Sequence, residues 1–137
     1  MQDVLFNKLE RLKEEIKYLS DRKKLFLISL KTSTETKKIV ERSVYLCAEI
    51  ALDIGDLIII KKKYPRPSTY SDVIYKLGEY GVLPGEFAQR FVYIAGLRNF
   101  LAHDYQKSSL PELEKFLRQG LKDMTFFAKH IEASMQR

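Results

Sequence analysis

Apolar residues recur at Leu5, Leu9, Leu12, Ile16, Leu19, Phe26 and Leu30, in steps of four and three that lapse only where Lys23 occupies a seam position. That period belongs to an amphipathic helix with one greasy stripe. It reads as one long helix, with Ser20 and Asp21 leaving open a division in two, and its end falls between Tyr18 and Lys31. Thr32-Ser33-Thr34-Glu35 then has the hydroxyl-x-x-Glu spacing of a capping box, in which hydroxyl and carboxylate satisfy free amides at a helix start. The helix it opens runs through Val40, Val44, Cys47, Ala51, Ile54 and Ile58, and Ile39, Leu46, Ile50 and Leu57 widen its apolar arc. Such breadth predicts a central, heavily buried helix. Lys61-Lys62-Lys63-Tyr64-Pro65-Arg66-Pro67 ends it, because proline cannot continue a helix and cations suit its carbonyl end.

Ser71 or Asp72 caps a short helix through Val73, Ile74 and Leu77, stopped at Gly78 or Gly81. Pro84, as an early helical residue, opens the next one through Phe87, Phe91, Ile94, Leu97 and Leu101. Ser108 or Ser109, followed by Pro111 and Glu112, starts the last, through Leu113, Phe116, Leu117, Leu121, Met124, Phe127, Ala128 and Ile131. No segment has strand period, and the connections are short. The predicted fold is all-α, an up-and-down four-helix bundle with one additional short helix, forming a single domain over residues 1–137.

Composition fits that picture. With 137 residues, 45% of them hydrophobic, the chain can bury a core without metal or disulfide. The excess of 24 Lys+Arg over 18 Asp+Glu gives +6 and favours an anionic partner such as nucleic acid. Cys47, the single cysteine, reads as a small core residue, and the cytoplasm is the expected compartment. No stretch is apolar enough for export or membrane anchoring; the longest greasy run is residues 57–60.

Candidate chemistry concentrates in Arg98-Asn99-Phe100-Leu101-Ala102-His103-Asp104-Tyr105, which holds one of the chain's 2 histidines. On an ideal helix at about 100° per residue, Arg98, Asn99, His103 and Tyr105 share a polar arc, with Leu97, Phe100 and Leu101 turned to a core behind it. Asp104 fits neither side. Ala88, Ala95 and Ala102 lie seven apart within the same arc, where small side chains let another backbone approach; packing on a second copy of the helix is the expectation, a solvated alanine-rich face the alternative.

This stretch resembles the R-x4-H-x-Y motif of the HepT toxins, members of the HEPN superfamily of small helical ribonucleases. The likeness extends to the order of helices, the Pro67-x-x-Tyr70-x-Asp72 linker and the Gly81-Val82-Leu83 segment before the motif helix. It implies a homodimer whose paired Arg and His residues meet at the interface and cut RNA without a metal or other cofactor. The chemistry is consistent: imidazole serves as acid or base near neutrality, and guanidinium grips two phosphate oxygens at once. One histidine cannot hold and lack its proton simultaneously, so two copies supply one of each. Arg98 is thus assigned to phosphate and transition-state binding, His103 to proton transfer, and Asn99 to orienting one or the other.

In HepT-like proteins the motif tyrosine, here Tyr105, accepts AMP groups from a partner minimal nucleotidyltransferase, the MntA antitoxin. Added bulk and negative charge would occlude a phosphate site. A plain aromatic lid is the alternative for Tyr105, and a non-catalytic nucleotide-binding or transferase-docking module is the alternative for the whole protein. Lys61, Lys62, Lys63 and Arg66 are candidates for steering RNA. Glu49, Asp53 and Asp56 share a stripe with Arg42 and Tyr45, readable as a solvated face, a metal site or an anchor for Arg98. Cysteine and histidine spacing offers no zinc motif, and His130 reads as a surface residue.

Overall fold

The computed structural model describes residues 2–103 and 108–136, and those residues contain helices and no strand. The first predicted helix is divided, as α1 (Gln2–Asp21) and α2 (Lys23–Ser29). At the break Arg22 donates from Nη1 to the Tyr18 carbonyl at 3.1 Å and lays its guanidinium 4.0 Å from the Tyr18 ring, so the carbonyl released there still has a donor. The next helix, α3 (Thr34–Lys61), is capped by Ser33, whose hydroxyl accepts from the Thr36 amide at 3.1 Å. The cap thus falls one residue later than the Thr32/Glu35 box predicts. Thr32 is already engaged in closing the preceding turn, its amide on the Ser29 carbonyl at 3.1 Å.

Val40, Val44, Cys47, Ala48, Ala51, Leu52, Ile54 and Ile59 of α3 are all nearly solvent-free, which makes it the central rod. It ends with Tyr64 N–H on the Ile59 carbonyl at 3.0 Å and Lys63 N–H on the Ile60 carbonyl at 3.1 Å. That pairing is a Schellman motif, with Lys63 in the left-handed position at φ 60°.

Helix α4 (Tyr70–Glu79) starts from Thr69, whose hydroxyl accepts from the Asp72 amide while the Asp72 carboxylate accepts from the Ser68 amide, both at 3.0 Å. Asp72 is therefore the reciprocal partner of the cap, and neither it nor Ser71 is the cap itself. Gly81, at φ 77°, closes α4, with Val82 N–H on the Leu77 carbonyl at 2.9 Å. The fourth predicted helix is also divided, at Val92, into α5 (Gly85–Phe91) and α6 (Tyr93–His103), and Pro84 stands at the cap of α5, just outside the helix. After Ser109 come α7 (Leu110–Lys115), a π-helical turn (Phe116–Gly120) and α8 (Leu121–Met135).

The four long units α1–α2, α3, α5–α6 and α7–α8 make the bundle, and α4 is the additional short helix. Helix α3 packs against α1, α4 and α6, and α8 packs against α1. Phe91 stacks on Phe87 at 4.9 Å and on Phe127 at 5.3 Å, joining α5 to α8 through the core. Helix α4 approaches α5 so closely that a Cβ on Gly78 would lie 2.5 Å from the Ala88 Cβ. Only glycine permits that separation, and it fixes the root of the motif helix against α4. No helix among the described residues is long and apolar enough to cross a membrane.

Candidate active site at the end of the motif helix

Arg98 leaves α6 towards α3 and α4, not towards open solvent. Its Nε and Nη2 donate to one oxygen of Glu49, at 3.3 and 3.1 Å, and its Nη1 donates to Asn99 Oδ1 at 3.2 Å. The same Glu49 oxygen accepts the Tyr45 hydroxyl at 2.5 Å. The Arg98 Cζ also lies 4.7 Å from the Tyr70 ring centroid and 5.8 Å from that of Tyr45. Three elements thus converge on one guanidinium: α3 supplies Tyr45 and Glu49 one turn apart, α4 supplies Tyr70 from its first turn, and α6 supplies Asn99. Both ends of the ion pair are mostly covered, with 16% of the Arg98 side chain and 23% of Glu49 exposed.

Burial works against charge at each of these groups, and their mutual contacts outweigh it. The Tyr45 hydroxyl and the Arg98 guanidinium hold the Glu49 carboxyl below its ordinary range despite desolvation. Arg98 is raised above the usual arginine value by Glu49, again against desolvation, and the Tyr45 phenol is raised by its bond to Glu49 together with burial. An ionised carboxylate therefore grips the Nε/Nη2 edge of a cation whose remaining polar edge reaches the surface beside Asn99.

His103 is exposed at the end of α6, and no hydrogen bond or ion pair among the described residues ties it to Arg98 or Asn99. Five positions along a helix separate two side chains by about 140° around the axis and roughly 7.5 Å along it. Arg98 and His103 of one chain consequently diverge: the structure brings Arg98 and Asn99 together and leaves His103 apart. Tyr105, the predicted modification site, and Asp104 lie outside the described residues.

The alanine stripe requires correction. Ala88 and Ala95 are 2% and 1% exposed, covered within the chain, and only Ala102 is partly open. Helix α4 packs on α5 and α6 and meets Ala88 directly at Gly78, so Ala88 is a core residue, and Ala95 is likewise covered within the chain and turned away from any second copy. The small open residue on α6 is Gly96, where an added Cβ would meet nothing within 4 Å. Beside it a cleft of about 680 Å³ runs between α6 and the π turn, lined by Tyr93, Leu97, Phe100, Phe116 and Asp123. Phe100, expected to face the core, is half-buried in this cleft wall.

Of the acidic stripe, Glu49 is the anchor of Arg98. Asp53 is raised above its ordinary range by burial and by Glu49 and Asp56, against the pull of Lys8 at 3.4 Å. No group of three or more His, Cys, Asp or Glu among the described residues is arranged to hold a metal ion. Lys61, Lys62, Lys63 and Arg66 are exposed, and stacking of Tyr64 on Tyr80 at 4.2 Å pins the root of their loop to the end of α4. His130 donates from Nδ1 to the Phe126 carbonyl at 3.1 Å and lies on the Phe126 ring, a packing role on α8. Cys47 is buried, with its thiol raised by desolvation. Tyr70 is the site residue that sequence reading places only in a linker; its position two residues before Asp72 in the cap gives no hint that its ring lies on Arg98.

Residues 9–131 match the family model described as ribonuclease HepT-like. The chain is 37% identical over 120 residues to the tRNA nuclease HepT of Aphanizomenon flos-aquae, covering 85% of this chain and 82% of that protein. Among solved structures it superposes on the tri-AMPylated Shewanella oneidensis HEPN toxin in complex with MNT antitoxin with TM-score 0.80, at 23% identity, covering 97% of this chain and 99% of that one. It superposes equally, TM-score 0.80 at 20% identity over 93% of this chain and 98% of the other, on a toxin–antitoxin with AMP-PNP.

Proposed function

This chain belongs to the ribonuclease HepT-like family, and from that premise we propose that it is a metal-independent RNA endonuclease, the toxin of a toxin–antitoxin pair. The observation that carries the reading is the posture of Arg98: three elements hold its guanidinium with one edge committed to Glu49 and the other at the surface, on the helix that ends in exposed His103. A preorganised cation of this kind gains most when negative charge accumulates opposite it, as on a phosphate under attack. The relative named tRNA nuclease supports RNA as the substrate class.

In the reaction, a base removes the proton of a ribose 2′-hydroxyl as its oxygen bonds to phosphorus. The bond from phosphorus to the 5′-oxygen breaks, and an acid protonates that oxygen. The products are a 2′,3′-cyclic phosphate and a 5′-hydroxyl. His103 of one copy serves as base and His103 of another as acid, with Arg98 on the non-bridging oxygens and Asn99 steadying the guanidinium. The divergence of Arg98 and His103 within one chain supports this division of labour between copies. The homodimer joins through the open α6 face at Gly96, Asn99 and His103, since Ala88 and Ala95 are taken up inside the chain.

Silencing follows the pattern named for the tri-AMPylated HEPN toxin: a partner nucleotidyltransferase of the MntA type places AMP on Tyr105. The purified protein is expected to degrade tRNA with magnesium chelated, leaving cyclic-phosphate or 3′-phosphate ends, and Arg98→Ala and His103→Ala should each abolish the activity. Full activity in both variants would sink the assignment.

A further inference from the structure

A groove of about 390 Å³ opens beside the Arg98 cluster, lined by Lys38, Glu41, Arg42 and Tyr45 of α3 and by Leu101 and Ala102 of α6. Its α6 wall is the turn of the motif helix that lies between Arg98 and His103, so whatever occupies the groove lies alongside the candidate active site. On α3 the residues Lys38, Arg42, Tyr45 and Glu49 follow at steps of four, three and four, which puts them on one stripe. The Tyr45 ring is shared: Arg42 Cζ lies 5.7 Å from its centroid and Arg98 Cζ 5.8 Å. Lys38 and Arg42 are exposed, and neither forms an ion pair among the described residues, whereas Arg98, Lys8 and Arg90 each have a carboxylate. The one acidic wall residue, Glu41, is engaged by the Ser109 hydroxyl.

The stripe is polarised. Beyond Glu49, away from the groove, come Asp53 and Asp56, so an anionic strand passing Arg98 is repelled along α3 in that direction and drawn along it towards Arg42 and Lys38. A volume near the low end of ligand pockets, about 300–1,000 Å³, with two cations and a phenol face, suits a nucleotide better than a protein segment.

Building on the ribonuclease reading, we propose that this groove is a subsite for single-stranded RNA, in which Arg42 and Lys38 hold the phosphodiester next to the scissile one and Tyr45 offers its ring to the adjoining base. Such cations release counterions, so each contributes to the salt dependence of binding; a stacking ring does not.

The test measures binding of a short 2′-O-methylated single-stranded RNA, which lacks the attacking hydroxyl, by fluorescence anisotropy across a salt series. Cleavage of the unmodified strand is followed on the same preparations. Arg42→Ala and Lys38→Ala should each weaken binding several-fold and flatten the plot of log affinity against log salt by about 0.7. Arg42→Lys should restore the slope, and Lys129→Ala, on α8, should leave it unchanged. Tyr45→Leu should weaken binding about tenfold with no change of slope. Wild-type slope in both Arg42→Ala and Lys38→Ala overturns the subsite, whether or not the protein cuts RNA, and so does a wild type that binds no strand. A wild type that binds with the expected slopes yet never cuts keeps the subsite and overturns the ribonuclease reading instead.

Discussion

Glu49 and Arg98 meet through a single carboxylate oxygen, which accepts from Nε at 3.3 Å and from Nη2 at 3.1 Å while also accepting the Tyr45 hydroxyl. The edge of Arg98 that is gripped is therefore the one a phosphate does not need, and its orientation is set before any substrate arrives. Removing the grip should act on turnover more than on affinity. Glu49→Ala is expected to lower kcat by about tenfold to a hundredfold. In an Arg98→Lys background, which keeps a cation and residual turnover, the same change should cost much less. Additive losses in the two backgrounds would show that Glu49 does not act through Arg98.

The same pair has a pH signature. Glu49 is held below its ordinary range, so its contribution to stability is complete above the unfolded carboxylate value, about 4.3, and is lost as pH falls through the folded value. Wild type should exceed Glu49→Gln in Tm by a few degrees at neutral pH, with the gap closing on acidification below about pH 4. Asp53 has the opposite sign, since its carboxyl is held above its ordinary range and ionisation opposes folding. Asp53→Asn should equal or exceed wild type at neutral pH. Thermal melts across pH decide both; a Glu49→Gln gap independent of pH would contradict the assignment.

Gly96 separates fold from assembly. An added side chain there meets nothing in the chain itself, so Gly96→Leu should keep the thermal stability of the fold and gain helix propensity. If α6 faces its own copy, the same variant should shift sedimentation towards monomer and lose RNA cleavage by at least about tenfold, although Arg98 and His103 are untouched. A Gly96→Leu dimer with wild-type activity would move the interface elsewhere.

Gly78 should show the reverse. A Cβ there would sit 2.5 Å from the Ala88 Cβ, and neither atom is the end of a flexible chain, so α4 and α5 must part. Gly78→Ala is expected to cost about 1–3 kcal/mol, and pairing it with Ala88→Gly should recover much of that loss. Urea unfolding of the two single variants and the double variant measures the coupling.

Tyr105 offers the regulatory test. Incubation with the partner nucleotidyltransferase and ATP should add AMP-sized mass increments that vanish in Tyr105→Phe. Increments that persist would place the modification on another residue.

What could be read from the chain beforehand depended on how local the determinant was. The stripes of α1 and α3 are written in runs of leucine, isoleucine and valine, and the division at Arg22 falls directly after Ser20 and Asp21, whose short polar side chains favour a break. Arg98, Asn99 and His103 were legible because they share one helix and a spacing. Tyr70 was not, because its contact with Arg98 depends on how α4 folds back, and nothing within α4 encodes that. The alanine stripe differs for the same reason: helical angles say which residues share a face, but tertiary packing covers both Ala88, which meets Gly78, and Ala95 within the chain.

The π turn at Phe116–Gly120 adds a phase slip to the last long unit. Leu113, Leu117 and Leu121 follow in two consecutive steps of four, and the regular alternation resumes only with Met124, Ala128 and Ile131. Gly120 makes room for it, since a Cβ there would lie 2.5 Å from the Phe116 ring. Closing this turn as regular α-helix with all five of its residues kept would rotate everything downstream by about 100° relative to α7. Phe127, now stacked on Phe91, would be carried out of the core, and Asp123 would release Arg90 and Tyr93. The chain can therefore tolerate substitutions along α8 far more readily than the loss of the wider turn ahead of it.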